Sequence, residues 1–163
     1  MTRSQLITDL ASLGPWLNNL SSSETQQSEI FSAELTEAFQ AVISREIYRN
    51  GWFEPHAVKD SLAGISSWLN TEVLTSFAAP YVFQGFRPSL GLILAGNLPM
   101  VGFHDVLCGL LSGYTLQIKL SSDDQQLIPL LVRGLTELNP LYAELIQLNP
   151  QKLSGFKAVI GTG

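Results

Sequence analysis

The hydrophobic period of this chain changes near Pro80, and that change restricts its fold more than any other feature of the sequence. Before it, apolar residues recur every three or four positions, as on one side of a helix. After it, short continuous apolar runs alternate with helical stretches. Leu90 to Ala95 is an apolar run of strand length, as expected for a strand covered on both faces. Pro99 to Ser112 is helical, Tyr114 to Leu120 is a second strand, Leu127 to Leu138 a second helix, and Phe156 to Ile160 a third strand. Strand, helix, strand, helix, strand requires parallel strands joined by crossovers. The expected class is α/β: a helical N-terminal region over residues 1–81, then the first part of a doubly wound parallel nucleotide-binding sheet over residues 82–163.

Within the helical region, Leu6, Leu10 and Leu13 mark a first helix that Gly14-Pro15 should end. Asn18 to Ser23 reads as loop and cap. Ile30, Leu35, Phe39, Val42, Ile43 and Ile47 place a long helix from about Glu24 to Arg49, stopped by Asn50-Gly51. Pro55 suits the first turn of the next helix, which carries Val58, Leu62, Ile65 and Leu69. In the sheet region, Ser121 to Asp124 leads into the second helix, and Leu141 to Leu148 reads as a further short helix. The chain stops at Gly161-Thr162-Gly163, directly after a strand. Three parallel strands make a poorly covered sheet, so the expectation is a truncated domain.

Composition excludes several functions. The net charge is −5 and no basic run occurs, which argues against a nucleic-acid partner. The longest apolar stretches are far shorter than the roughly 20 residues of a membrane span. No signal-peptide pattern follows Arg3, and a single cysteine precludes an internal disulfide framework. A soluble, cytoplasmic chain is the expectation.

Residues able to carry chemistry gather where strands end, because open α/β sheets bind ligands at that edge. Asn97 lies in Ala95-Gly96-Asn97-Leu98-Pro99, between the first strand and its helix. Its amide can donate to a developing oxyanion, or it can cap the helix. Lys119 ends the second strand, where its ammonium can meet a ribose or a 2′-phosphate, or simply be solvated. Ser121 follows it, as a phosphate contact or a cap. The Gly161-Thr162-Gly163 turn can present backbone N–H groups to phosphate, or be an ordinary turn. His104 and Cys108 share a helix face, but His56 is the only other histidine, too few for a zinc site. No metal is expected. Cys108, among apolar neighbours, reads as a structural thiol with a raised pKa, and His104-Asp105 as a helix-start pair. Trp16, Trp52 and Trp68 read as core packing unless a cavity is found beside them.

Two runs carry a resemblance: Leu92 to Asp105 (Leu-Ile-Leu-Ala-Gly-Asn-Leu-Pro-Met-Val-Gly-Phe-His-Asp) and Leu111 to Ser122 (Leu-Ser-Gly-Tyr-Thr-Leu-Gln-Ile-Lys-Leu-Ser-Ser). Together with Gly51-Trp52-Phe53 and Gly155 to Gly163, they resemble the acyl-CoA reductase family. This is the branch of the aldehyde dehydrogenase superfamily related to the fatty acid reductase of bacterial bioluminescence. The resemblance covers most of the chain beyond about residue 45 and is weaker before it. It implies a Rossmann-like domain of aldehyde dehydrogenase type. Asn97 matches the oxyanion-hole asparagine, and Lys119 the lysine that contacts the adenosine ribose or the 2′-phosphate of NADP. Ser121 lies near that ribose, and Thr162-Gly163 matches the Thr-Gly that opens the helix over the pyrophosphate.

The activity so implied is reduction of a fatty acyl-CoA thioester to an aldehyde through a cysteine acyl-enzyme. NADPH is the expected cofactor and NADH the other candidate. The nucleophilic cysteine belongs to a later domain and Cys108 does not match it, so this N-terminal part is expected to be inactive alone. Family members commonly form homo-oligomers. The competing possibility is a non-catalytic module that binds nucleotide or a protein partner.

Overall fold

The Thr2 hydroxyl accepts the Gln5 N–H and opens the first helix, α1, Arg3–Ser21, in a computed structural model that describes residues 1–22 and 28–162. The helix does not end at Gly14-Pro15. Leu6, Leu10, Leu13, Leu17 and Leu20 form one buried stripe that runs straight past the proline, whose ring is exposed. Burial of that stripe outweighs the backbone hydrogen bond that Pro15 removes. Asn18 to Ser21, expected as loop, are therefore helical. Gly14 lets a neighbouring segment approach closely: a Cβ there would come 2.4 Å from the Leu69 carbonyl oxygen. Ser66 donates to the Gly14 carbonyl at 2.8 Å.

Helix α2 spans Ala33–Arg45 and continues into a 3-10 turn, Glu46–Tyr48. Its expected start at Glu24, and Ser23 of the expected loop, lie outside the described residues. The observed start is decided by a tertiary cap. Ser32 accepts the Leu35 N–H, while its own N–H and hydroxyl donate to Glu137 at 2.9 and 2.8 Å. Helix α3 is Pro55–Trp68, with the proline in its first turn as expected. Helix α4, Thr71–Ala78, is capped by Asn70, which accepts the Val73 N–H. Arg3 ties α1 to the end of α4 by donating to the carbonyls of Ala78 and Tyr81.

After residue 88 the chain alternates: β1 (Ser89–Ile93), α5 (Phe103–Leu111), β2 (Thr115–Lys119), α6 (Leu127–Leu138), α7 (Tyr142–Leu145), β3 (Ile146–Leu148) and β4 (Ala158–Gly161). The class is mixed α/β with an all-parallel sheet in the order β3-β2-β1-β4. Four strands stand where three were expected. The expected helix over Leu141–Leu148 is half helix and half strand, because Ile146–Leu148 pairs with Leu116–Ile118. Helix α5 begins at Phe103 rather than Pro99, since Met100 takes a positive φ of 56° that no helix admits.

The two faces of the sheet differ. Leu90 and Leu116 pack on α5 near Gly109, and α1 lies behind α5 and against α6. Among the described residues, the segment between β3 and β4 crosses the other face. Leu153 and Phe156 of that segment lie over Gly91, and Gln117 is hydrogen-bonded to Ser154. Strand β4 is exposed along its whole length and Ile93 is exposed on β1, so the expectation of strands covered on both faces fails there. Buried residues of residues 1–81 and of the sheet region form a single apolar cluster. A buried polar knot ties its ends: Asp9 of α1 accepts from Gln5, Asn139 and Tyr142. Among the described residues, no helix is long and apolar enough to cross a membrane.

Candidate functional site

The sheet order makes β1 the turning point of the topology. The chain first builds outward from it to β2 and β3, then returns to its other side as β4. In open α/β sheets the carboxyl edge at such a turning point is where ligands bind. Ile93 pairs with Lys119 on one side and Gly161 on the other, so these three residues form one row at the carboxyl edge.

Two loops at this edge are locked together. Gly96, after β1, sits against Ser121, after β2, so closely that a Cβ on it would lie 2.4 Å from the Ser121 Oγ. Asp124 accepts the Met100 N–H at 2.8 Å and the Leu127 N–H at 3.3 Å. One buried carboxylate thus caps α6 and pins the loop before α5. Burial pushes the Asp124 carboxyl above its ordinary pKa, against the lowering effect of the N–H groups of Met100, Leu127 and Ile128. The Ser121-to-Asp124 entry to α6 was legible in the sequence; the second role of Asp124 was not.

Asn97 stands exposed on the outside of this pinned loop. It does not cap α5, whose first residue is Phe103. Among the described residues its carboxamide has no hydrogen bond within the chain. It lines a cleft of about 680 Å³ together with Arg49, Trp52, Leu98 and Asp123. Lys119 is exposed at the end of β2, with no carboxylate partner among the described residues. The Ser121 hydroxyl accepts the Asp123 N–H and so shapes its own loop. Thr162 extends the ladder by donating its N–H to Ile93, but its hydroxyl is bonded to the Asp105 carboxylate. That carboxylate stands where a phosphate contact was expected and disfavours an anion at the Thr162 side chain. Gly163 lies outside the described residues. The structure thus brings Asn97, Lys119 and Ser121 to one edge, with Thr162 beside β1 on the other side.

Glu46 was missed by the sequence reading. It is 3% exposed and follows the buried stripe of Leu35, Phe39 and Ile43 at a three-residue step, the signal that locates it. Burial raises its carboxyl pKa, Arg49 lowers it, and the nearby Asp124 raises it again. Arg49 stands 3.8 Å away at the cleft rim.

The tryptophans separate. Trp16 is core, 3% exposed and stacked on Phe31. Trp52 is 82% exposed at the cleft, and Trp68 is half-open and edge-on to His104. Trp52 and Trp68 therefore correct the core assignment. Cys108 lies 3.7 Å from the Nε2 of His104, and burial, reinforced by the Asp105 carboxylate, raises its thiol pKa. The thiol is half-buried, lining cavities beside Trp68 and Phe77. Among the described residues, no group of three or more His, Cys, Asp or Glu side chains is placed to hold a metal.

Comparison with protein-family models, with curated proteins and with solved structures finds no match to this chain.

Proposed function

We propose that this chain is the nucleotide-binding part of an NADPH-dependent acyl-CoA reductase with a Rossmann-like sheet. The observation that carries the proposal is the pinned pair of loops at the carboxyl edge. It presents Asn97 and Lys119, both exposed and both without an intrachain partner among the described residues. A free ammonium at the end of β2 fits a ribose 2′-phosphate through a charge-assisted contact. A carboxamide on a rigid loop over an open cleft fits the oxygen of an acyl group whose carbonyl gains charge during attack. The bound nucleotide supplies hydride. This chain's own residues hold the ribose end and donate to the oxyanion. Cys108 lies within α5, and burial raises its thiol pKa, which disfavours it as the nucleophile. The chain therefore binds nucleotide without turning over acyl-CoA.

The test is titration of the purified chain with NADPH and with NADH. Lys119→Ala is expected to weaken NADPH by about 10- to 100-fold, the cost of one lost contact to a charged group, and NADH far less. Equal losses for the two nucleotides would refute the 2′-phosphate role.

A further inference from the structure

Trp52 carries an indole that folding leaves outside. The turn that bears it is closed by backbone bonds: the Asn50 N–H donates to the Glu46 carbonyl and the Phe53 N–H to the Asn50 carbonyl, both at 2.9 Å. The Asn50 carboxamide oxygen accepts the Trp52 N–H at 3.0 Å. Phe53 is fully buried at the end of this turn, while Trp52 beside it is 82% exposed. A large aromatic ring is thus carried on a fixed backbone and held out of the core.

The indole shares its cleft with one cation, Arg49, and one anion, Asp123. The Arg49 Nε lies 3.8 Å from the buried Glu46 carboxylate, and its two Nη groups have no partner among the described residues. Asn97 adds a carboxamide that is also unpartnered within the described chain. The cleft, about 680 Å³, falls in the range of about 300–1,000 Å³ usual for small-molecule sites. An aromatic face beside a guanidinium suits a flat ring that carries an anion. The ring stacks on the indole, and a phosphate takes the guanidinium fork. The carboxamide, both donor and acceptor, matches N7 and the 6-amino group of adenine. Asp123 can accept from ribose hydroxyls, as acidic residues do in dinucleotide sites. A neutral sugar would leave the guanidinium unused, and free phosphate would leave the indole bare.

We infer that this cleft binds an adenine mononucleotide, with its base on Trp52 and its phosphate at Arg49. The site is separate from the ribose contact proposed for Lys119, which is not among the residues that line the cleft. A nucleotide held here covers Asn97 and competes with the acyl group of the function proposed above. It is therefore an inhibitory ligand of that function, while its own binding does not depend on it.

The experiment is calorimetric titration of the purified chain with AMP, adenosine, ribose 5-phosphate and inorganic phosphate. AMP should bind about 10- to 100-fold more tightly than adenosine, the value of one charge-assisted contact. Trp52→Ala should weaken AMP by about 10- to 100-fold through loss of the stack, and Arg49→Gln should bring AMP down to the level of adenosine. AMP should also shield the chain from acrylamide quenching of tryptophan fluorescence, and Trp52→Phe should abolish that shielding. If Arg49→Gln fails to fold, the ratio of AMP to adenosine and the shielding in the unaltered chain still decide. Absence of AMP binding at millimolar concentration would overturn the inference. Ribose 5-phosphate or phosphate binding as tightly as AMP would do the same, since it would show an anion held without the indole. NADPH titration of the same variants separates the two sites: Lys119→Ala should leave AMP unchanged, and Trp52→Ala should leave NADPH unchanged. AMP binding lost in Lys119→Ala and kept in Trp52→Ala would place the nucleotide at the sheet edge and refute the cleft.

Discussion

Replacing Gly96 with alanine tests whether the contact between the two edge loops is as tight as the backbone geometry indicates. The added methyl would meet the Ser121 Oγ at 2.4 Å and the Ser121 Cβ at 2.5 Å, with the Asp124 nitrogen at 3.2 Å. Ordinary carbon contacts lie at about 3.5–4.0 Å, so one loop must retreat by about 1 Å. Both loops are anchored, one through Met100 and the other through the α6 cap, to the same Asp124 carboxylate. Retreat therefore strains a buried hydrogen bond, and overpacking of this kind costs about 1–3 kcal/mol. Ser121→Gly removes both nearest atoms. Alone it loses the acceptor for the Asp123 N–H and costs about 1 kcal/mol. Combined with Gly96→Ala, it leaves only the Asp124 nitrogen too close, a matter of tenths of an ångström. Urea unfolding of the four proteins, followed by far-ultraviolet circular dichroism, should show a favourable coupling of about 1–2 kcal/mol. Additive effects would mean that the loops are free to part and that Asn97 is not held rigidly.

Two other perturbations address the acids beneath the cleft. Glu46 and Asp124 both have carboxyl pKa values raised above their ordinary 4.5 and 3.8, so the folded state binds more protons than the unfolded chain above those values. Stability should therefore fall as pH climbs from about 4 through the raised pKa values. Glu46→Gln should flatten this slope in urea unfolding at pH 5 and pH 8, and a slope equal to that of the unaltered chain would count against the buried acid. Asp124→Ala strips the partner from the N–H groups of Met100, Leu127 and Ile128 and should cost about 3–5 kcal/mol. It should also weaken NADPH binding by releasing the loop. A loss below about 1 kcal/mol, the value of an ordinary cap, would show that the bond to Met100 contributes nothing.

The sequence by itself determined what local chemistry can specify. The change of period after Pro80 announced the parallel sheet, Leu127 and Leu138 bound α6 where they were expected, and Pro55 opens α3. Asn97 and Lys119 were legible as residues of the carboxyl edge of the sheet, because their place follows from the ends of readable strands. Tertiary structure decided the rest, because those features depend on groups far apart in the chain. Ile146–Leu148 is too short to declare itself a strand and becomes one by pairing with β2. The stripe on α1 carries the helix through Pro15 only because α3 buries it. Ser32 starts α2 with the help of Glu137, more than a hundred residues away. Glu46 and Asp124, far apart in the chain, come within electrostatic reach of one another only in the folded protein, and Trp68 lines a cavity only after α3, α4 and α5 have packed. Hydrogen-bond pairing and desolvation act across space, and a side chain's spacing along the chain does not record which distant group it will meet.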